Sequence, residues 1–203
     1  MTDATRPRRR RSAPEVRAEE IVLAARELFA EQGIAHTSTK DVAERAGVAR
    51  GLVYYYFPDK DALVDAVLEG YVAEFVEAVH AWDAAREPGN IDKALVDCVA
   101  MFRTHLRSVD PLRDDLQRAE HTGLYNRFLD RAVRAVVECV EATTVEAYAA
   151  RHQVRIEHVP ETFYVLVYGL VGLARNCPEV DDAVLVTIVR QALHLEGARA
   201  DSE

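Results

Sequence analysis

The residues whose types and spacing suggest chemistry lie in one stretch, TSTKDVAERAGVARGLVYYY, running from Thr37 to Tyr56. Ser38 followed by Asp41 has the form of a capping box, opening a short helix that runs to Ala46. Gly47 then permits the positive φ of a tight turn. Beyond that turn, a second short helix exposes small, basic and phenolic groups. Ala43 lets the two helices cross closely, and Val42, Val48 and Val53 supply apolar contacts between them. This is the spacing of a helix-turn-helix, whose second helix is free to lie in a major groove and read DNA with its outward face. The run Tyr54-Tyr55-Tyr56-Phe57 would otherwise be plain core. Neighbours on a helix point about 100° apart, however, so the pattern predicts Phe57 inward and at least two tyrosines outward. No constellation of comparable quality points to catalysis. His105, His121, His152 and His158 invite thought of a metal, but HExxH, CxxC and nucleophile-elbow spacings are absent. Neither an enzyme, nor a cofactor, nor a metal site is expected.

Helices must position this stretch. A first helix fits residues 15–33, because Ile21, Ala24, Ala25, Leu28 and Phe29 recur at helical spacing and Gly33 supplies a stop. After Pro58, the pattern Leu63, Ala66, Val67, Tyr71, Phe75, Ala78, Val79, Trp82 marks one long helix of about 40 Å at 1.5 Å per residue, ended by Pro88-Gly89-Asn90. Further helices are predicted at 91–108, 111–119, 124–151, 161–176 and 181–197, punctuated by Pro111, Pro160 and Pro178. The expected fold is therefore all-α. A basic arm over 1–14 and a three-helix DNA-binding domain over 15–60 precede a second helical domain over 61–203.

Charge divides the same way. Residues 1–60 carry 11 Lys and Arg against 9 Asp and Glu, while residues 61–203 carry 14 against 25, within a total of -9. The first segment can approach phosphates and the rest should avoid them. Arg6, Arg8, Arg9, Arg10 and Arg11 form a basic arm that either enters a minor groove or holds phosphates, or else is an unbound solubilising tail. Cys98, Cys139 and Cys177 are odd in number and widely spaced, which fits reduced, buried packing in the cytosol. No apolar run is long enough for a membrane span, and the Arg-rich start lacks a signal peptide's apolar region.

The N-terminal pattern resembles the TetR family of transcriptional regulators. The matching residues are Ala25, Leu28-Phe29, Gly33, Thr37-Ser38, Asp41-Val42-Ala43, Ala46-Gly47-Val48, Gly51, Tyr54, Phe57 and Lys60. The resemblance covers about a quarter of the chain in detail, and two positions depart from it: Ala49, where a Ser or Thr cap is frequent, and Tyr56, where His is common. It implies a homodimer on double-stranded operator DNA that commonly represses transcription until a small-molecule effector binds. It places Arg50, Gly51, Leu52 and Tyr54 toward bases, with Arg50 suited to a bidentate guanine contact. It places Thr39, Tyr55, Tyr56 and Lys60 toward phosphates, Lys60 also standing at a helix N-terminus, and Lys40 toward either.

The resemblance also implies that the last two long helices form a four-helix dimer interface with their mates. The interface residues would be Phe163, Val167, Leu170, Val171 and Ala174 on one helix and Val184, Ile188, Val189 and Ala192 on the other, the alternative being contacts within one chain. Residues expected around an effector cavity, or else in ordinary core, are Phe75, Trp82, Phe102, His105, His121, Tyr125, Phe128 and Tyr164. The effector itself is not legible. The competing reading is a helical protein-interaction adaptor, which would leave the basic arm, the glycine turn and the phenolic helix together without a purpose.

Overall fold

Apolar residues at helical spacing, interrupted by Gly and Pro, account for a chain whose regular elements are helices throughout. The computed structural model describes residues 14–87, 89–107, 111–116, 118, 121–150 and 156–195, and no strand occurs among them. In chain order the helices are α1 (Pro14–Gln32), α2 (Thr39–Ala46), α3 (Arg50–Tyr56), α4 (Lys60–Ala85) and α5 (Ile91–Arg107). They continue with α6 (Pro111–Leu116), α7 (Thr122–Val140), α8 (Glu146–Ala149), α9 (Val159–Asn176) and α10 (Asp182–Ala192). The arginines of the basic arm, Arg6 and Arg8 to Arg11, lie outside the described residues.

Two compact units emerge, one drawn from Met1–Leu68 and Asp110–Asp115, the other from Glu69–Val109 and Leu116–Glu203. The first buries the stripe that periodicity predicts on α1, namely Ile21, Ala24, Ala25, Leu28 and Phe29. Val42 and Ala43 of α2, Val53 of α3, Leu63, Val64, Val67 and Leu68 of α4, and Leu112 of α6 are buried as well. Each fully buried Leu, Ile, Val or Phe contributes about 1.5–3 kcal/mol, enough in sum to hold elements that are individually short. Helix α1 stops where Gly33 adopts φ 83, a left-handed conformation that costs glycine nothing.

In the second unit, Val99 of α5, Leu170 of α9 and Leu185 of α10 form a buried cluster, with Phe102, Leu166, Leu173, Val180, Val186 and Val189 packed against it. Two elements differ from the sequence reading. The helix predicted over 124–151 is α7, then a five-residue π turn at Glu141–Val145, then the single turn α8. Within the π turn, Thr143 Oγ1 donates to the Cys139 carbonyl (2.8 Å) and Thr144 Oγ1 donates to Asp83 Oδ1 (2.8 Å). Inserted hydroxyls of this kind displace backbone pairing, and apolar periodicity does not register them. The helix predicted over 181–197 ends at Ala192. The chain turns there, with His194 at φ 49 and the Leu195 amide donating back to the Arg190 carbonyl (3.0 Å).

The turn between α9 and α10 is held by a buried cation. Arg103 of α5 is only 3% exposed. It donates to the Pro178 carbonyl (3.5 Å) and the Val180 carbonyl and pairs through Nε with Asp182 Oδ1 (2.6 Å). A guanidinium removed from water is tolerable only when its charge is paired, and here the Asp182 carboxylate supplies the pairing. Arg103→Met keeps the bulk but removes the ion pair with Asp182 and the bonds to two carbonyls, so we expect a loss of about 3 kcal/mol in urea unfolding of the purified protein. A loss below about 1 kcal/mol would mean that the turn holds without the guanidinium.

Candidate functional site

The helix-turn-helix is assembled by caps and one glycine. Ser38 sits in extended backbone, its side chain accepting from the Asp41 amide (3.3 Å) while Asp41 Oδ2 accepts from the Ser38 amide (2.8 Å), a reciprocal capping box. These bonds from Ser38 hold the Asp41 carboxyl below its ordinary pKa. At the other end of α2, Gly47 is left-handed (φ 62), its amide bonding to the Glu44 carbonyl and that of Val48 to the Ala43 carbonyl. Arg45 then fastens α2 to α1, reaching Glu31 with both terminal nitrogens (2.9 and 2.6 Å) and Glu27 with one (3.1 Å). Those bonds push the Arg45 pKa up and pull that of Glu31 down.

Helix α3 starts at Ala49, whose backbone has the extended N-cap conformation (φ -71, ψ 139) but whose side chain makes no cap hydrogen bond. The helix buries Val53 fully and turns Tyr54 and Tyr55 outward, 41% and 78% exposed. Tyr56 and Phe57 are half-buried, so two of the four aromatics face water. Tyr54 is the hub of this face. Its hydroxyl accepts from Thr39 Oγ1 (3.0 Å) and from Arg50 Nη2 (3.0 Å), and the Arg50 guanidinium lies 5.4 Å from the Tyr54 ring centroid. Those bonds, Thr39's first and then Arg50's, hold the phenol below its usual pKa. With both lone pairs engaged, the phenolic proton is left to be given outward, to an acceptor such as a phosphate oxygen or a base edge.

The remaining sequence-predicted residues fall on the same unit. Lys40 is exposed, paired with Glu44 at 3.6 Å. Gly51 is exposed, and a Cβ built on it would meet nothing within 4 Å. Leu52 is half-buried. Thr39 is buried, its hydroxyl spent on Tyr54. Lys60 is half-buried and donates to the Ala35 carbonyl (3.3 Å). Desolvation lowers its pKa while Asp61 and Asp115 oppose that shift. One of the amide donors at the start of α4 is already taken, since Asp59 Oδ1 accepts from the Ala62 amide (2.7 Å). Sequence reasoning missed three positioning residues: Arg45, Asp59 and Asp115. The last is buried and accepts from the Ile34 amide (2.8 Å), fixing the α1–α2 turn from a position 81 residues away. Asp59 carries a legible signal, an acid three residues before the first helical amide it caps. Asp115 carries none.

The second unit contains a partly open cavity of about 210 Å³. Phe75 and Trp82 of α4, Phe102 of α5, Tyr148 of α8 and Phe163 of α9 supply its aromatic walls. Of the residues expected there, Phe75, Trp82 and Phe102 line it. His105, His121, Tyr125, Phe128 and Tyr164 do not. His105 packs behind the wall, 5.2 Å from the Phe75 ring, and Tyr164 donates to Asp130 Oδ1 (2.6 Å), which raises the Tyr164 pKa. Arg175 lies over Tyr125 at 4.9 Å. Several residues expected at a dimer interface line this cavity or are buried. Phe163, Val167, Leu170 and Val189 line the cavity, and Val171 is buried within the chain. Ala174, Ile188 and Ala192 are half-buried and Val184 is 48% exposed. The face of α9 left open carries Val165, Tyr168 and Gly169, with Val165 70% exposed.

Residues 21–67, which span α2, α3 and the flanking parts of α1 and α4, match the family described as bacterial regulatory proteins, tetR family. The chain is similar to the HTH-type transcriptional regulator BetI of Stenotrophomonas maltophilia, 34% identical over 84 residues, 40% of this chain and 43% of that protein. It thus spans less than half the length of that relative. A longer alignment joins it to the HTH-type transcriptional repressor BepR of Brucella suis, 27% identical over 161 residues, 76% of each chain. Among solved structures, the transcriptional regulator SCO7518 from Streptomyces coelicolor A3(2) superposes with a TM-score of 0.63 over 87% of this chain and 98% of that one, at 21% identity, a likeness of fold.

The missing cap at Ala49 gives a direct check on how α3 is held. Its backbone already has the cap conformation, so Ala49→Ser should add about 1 kcal/mol of stability in thermal or urea unfolding. No gain would show that the α3 amides are satisfied by other means.

Proposed function

We propose that the chain is a transcriptional repressor of the tetR family of bacterial regulatory proteins, the family whose model matches residues 21–67. It binds a two-fold symmetric operator as a homodimer and leaves it when a small molecule fills the cavity of its second unit. The observation that carries this reading is the outward face of α3, where Arg50 is held by Tyr54 and Tyr54 by Thr39 before any partner arrives. Donors fixed in advance lose little entropy on binding, and that suits a helix whose task is to read base edges.

In this assignment Arg50, Gly51, Leu52 and Tyr54 face the bases. Gly51 does so by presenting no side chain, so the groove floor can come close. Lys40, Tyr55, Tyr56 and Lys60 hold phosphates, and Thr39 acts through Tyr54. The protein works in the cytoplasm, where the operator is. Its mate docks on the open faces of α9 and α10. Val165, Tyr168, Gly169 and Gly172 share one side of α9 by helical spacing, and Val184 and Ile188 extend the patch on α10. The glycines allow close backbone approach across the two-fold axis. Helix α4 contributes Lys60 to Leu68 to the reading unit and Phe75, Val79 and Trp82 to the cavity wall. A ligand that shifts α4 therefore changes the separation of two recognition helices that must span one helical turn, about 34–36 Å.

Two measurements test the reading. On a selected operator at fixed salt, Arg50→Ala should flatten the preference among base substitutions. Lys40→Ala should weaken all sequences alike and reduce the log-log salt slope by about 0.9. The reverse pattern would overturn the role assignment, and equal binding to every duplex by the unaltered protein would overturn the regulator itself. In sedimentation velocity, Val165→Arg should convert a dimer to a folded monomer and lower operator affinity with it. A dimer that survives the change would place the interface elsewhere.

A further inference from the structure

The cavity wall specifies more than a void. Almost all of it is carbon, from Phe75, Phe102, Val136, Val140, Phe163 and Leu166 among others, and its polar groups are largely engaged already. Trp82 Nε1 donates to the Ala94 carbonyl (3.1 Å). Asn90 donates to Glu87 (3.2 Å) and accepts from the Lys93 amide (3.1 Å). Among the described residues lining the cavity, Arg86 is the sole cation. Its Nε is 2.7 Å from Asp83 Oδ1, in a pair whose side chains are only 18% and 19% exposed. The same Asp83 oxygen accepts from Thr144 of the π turn, which also lines the wall. A hydrophobic carboxylate is the natural guest of an apolar pocket with an arginine at its edge. Here that arginine is neutralised from behind, and Glu87 adds a negative charge nearby.

We infer that the cavity takes a small uncharged hydrophobic molecule and discriminates against its carboxylate counterpart, with Asp83 as the residue that sets this preference by cancelling Arg86. The inference rests on the cavity being the effector site of the proposed function. An ion entering such a site sheds its hydration and finds no net opposite charge, whereas an alcohol sheds far less. Size narrows the class further. The cavity of about 210 Å³ exceeds the roughly 150 Å³ that accommodates benzene and falls short of the roughly 300–1,000 Å³ of drug-sized pockets. A substituted single ring or a medium-length alkyl chain fits that interval.

Trp82, the only tryptophan of the chain, is on the wall, so its fluorescence reports occupancy directly. The full-length protein is titrated with 1-octanol, octanoate and octylammonium at neutral pH, and Asp83→Asn with the first two. Expected for the unaltered protein is a change in Trp82 emission with 1-octanol at a Kd about tenfold or more below that of either ion. Asp83→Asn, shown folded by circular dichroism, should bind octanoate about tenfold or more tighter than the unaltered protein does, with 1-octanol little changed. Octanoate or octylammonium binding as tightly as 1-octanol would overturn the inference, as would no response to any of the three. The comparison on the unaltered protein decides the matter even where Asp83→Asn fails to fold. Operator binding is measured in parallel. Loss of ligand discrimination beside intact operator binding removes only this inference. Discrimination in a protein that ignores DNA and is unaffected in it by ligand removes the proposed function and leaves the ligand class standing.

Discussion

A helix of seven or eight residues does not hold its shape in water, since isolated helices are marginal below about 12–15 residues. Helices α2 and α3 have eight and seven. Their persistence depends on burial, with Val42 and Val53 fully excluded from solvent, as are Ile21 and Phe29 of α1. Everything the first unit presents to a partner is therefore only as ordered as that small apolar core. Val53 and Tyr54 are adjacent on α3, about 100° apart around its axis. The residue that anchors the helix thus also decides where the phenol points.

Polar contacts refine what burial establishes. The reciprocal Ser38–Asp41 cap, the left-handed Gly47, the Arg45 bridge to α1 and the buried Asp115 on the Ile34 amide each remove a way for the turn region to relax. Exposed ion pairs of the Arg45 kind add little stability on their own. Their contribution here is register, because a bidentate guanidinium fixes the relative rotation of two helices more sharply than apolar contact does. Inward donors are used up by these arrangements, and Arg50 and the Tyr54 proton remain facing out.

In the second unit the same physics yields a void. Aromatic side chains from four helices line it, Phe75 and Phe102 lying 5.8 Å apart and tilted by 58°, and the π turn carries Tyr148 to the wall instead of letting α7 run on. Such a space lined by carbon is held open by its surroundings, including the Arg103 clamp on the α9–α10 turn. The apolar residues of α9 consequently serve two sides: Phe163, Val167 and Leu170 face the cavity, while Val165 and Tyr168 face out.

How much of this was legible in the sequence follows from the range of the interactions involved. Periodicity and local capping determined the all-α fold, the α1 stripe, the Ser38–Asp41 box, the Gly47 turn and the outward pair of tyrosines, because each depends on residues within about one or two helical turns of one another. Tertiary structure alone decided that Asp115 fixes the Ile34 amide and that Thr39 spends its hydroxyl on Tyr54. It also decided that five of the eight expected pocket residues stand away from the cavity and that Phe163, Val167, Leu170 and Val189 line it. An apolar stripe records that a helix face is buried. Which neighbour covers it is set by where distant segments meet, and no local pattern contains that.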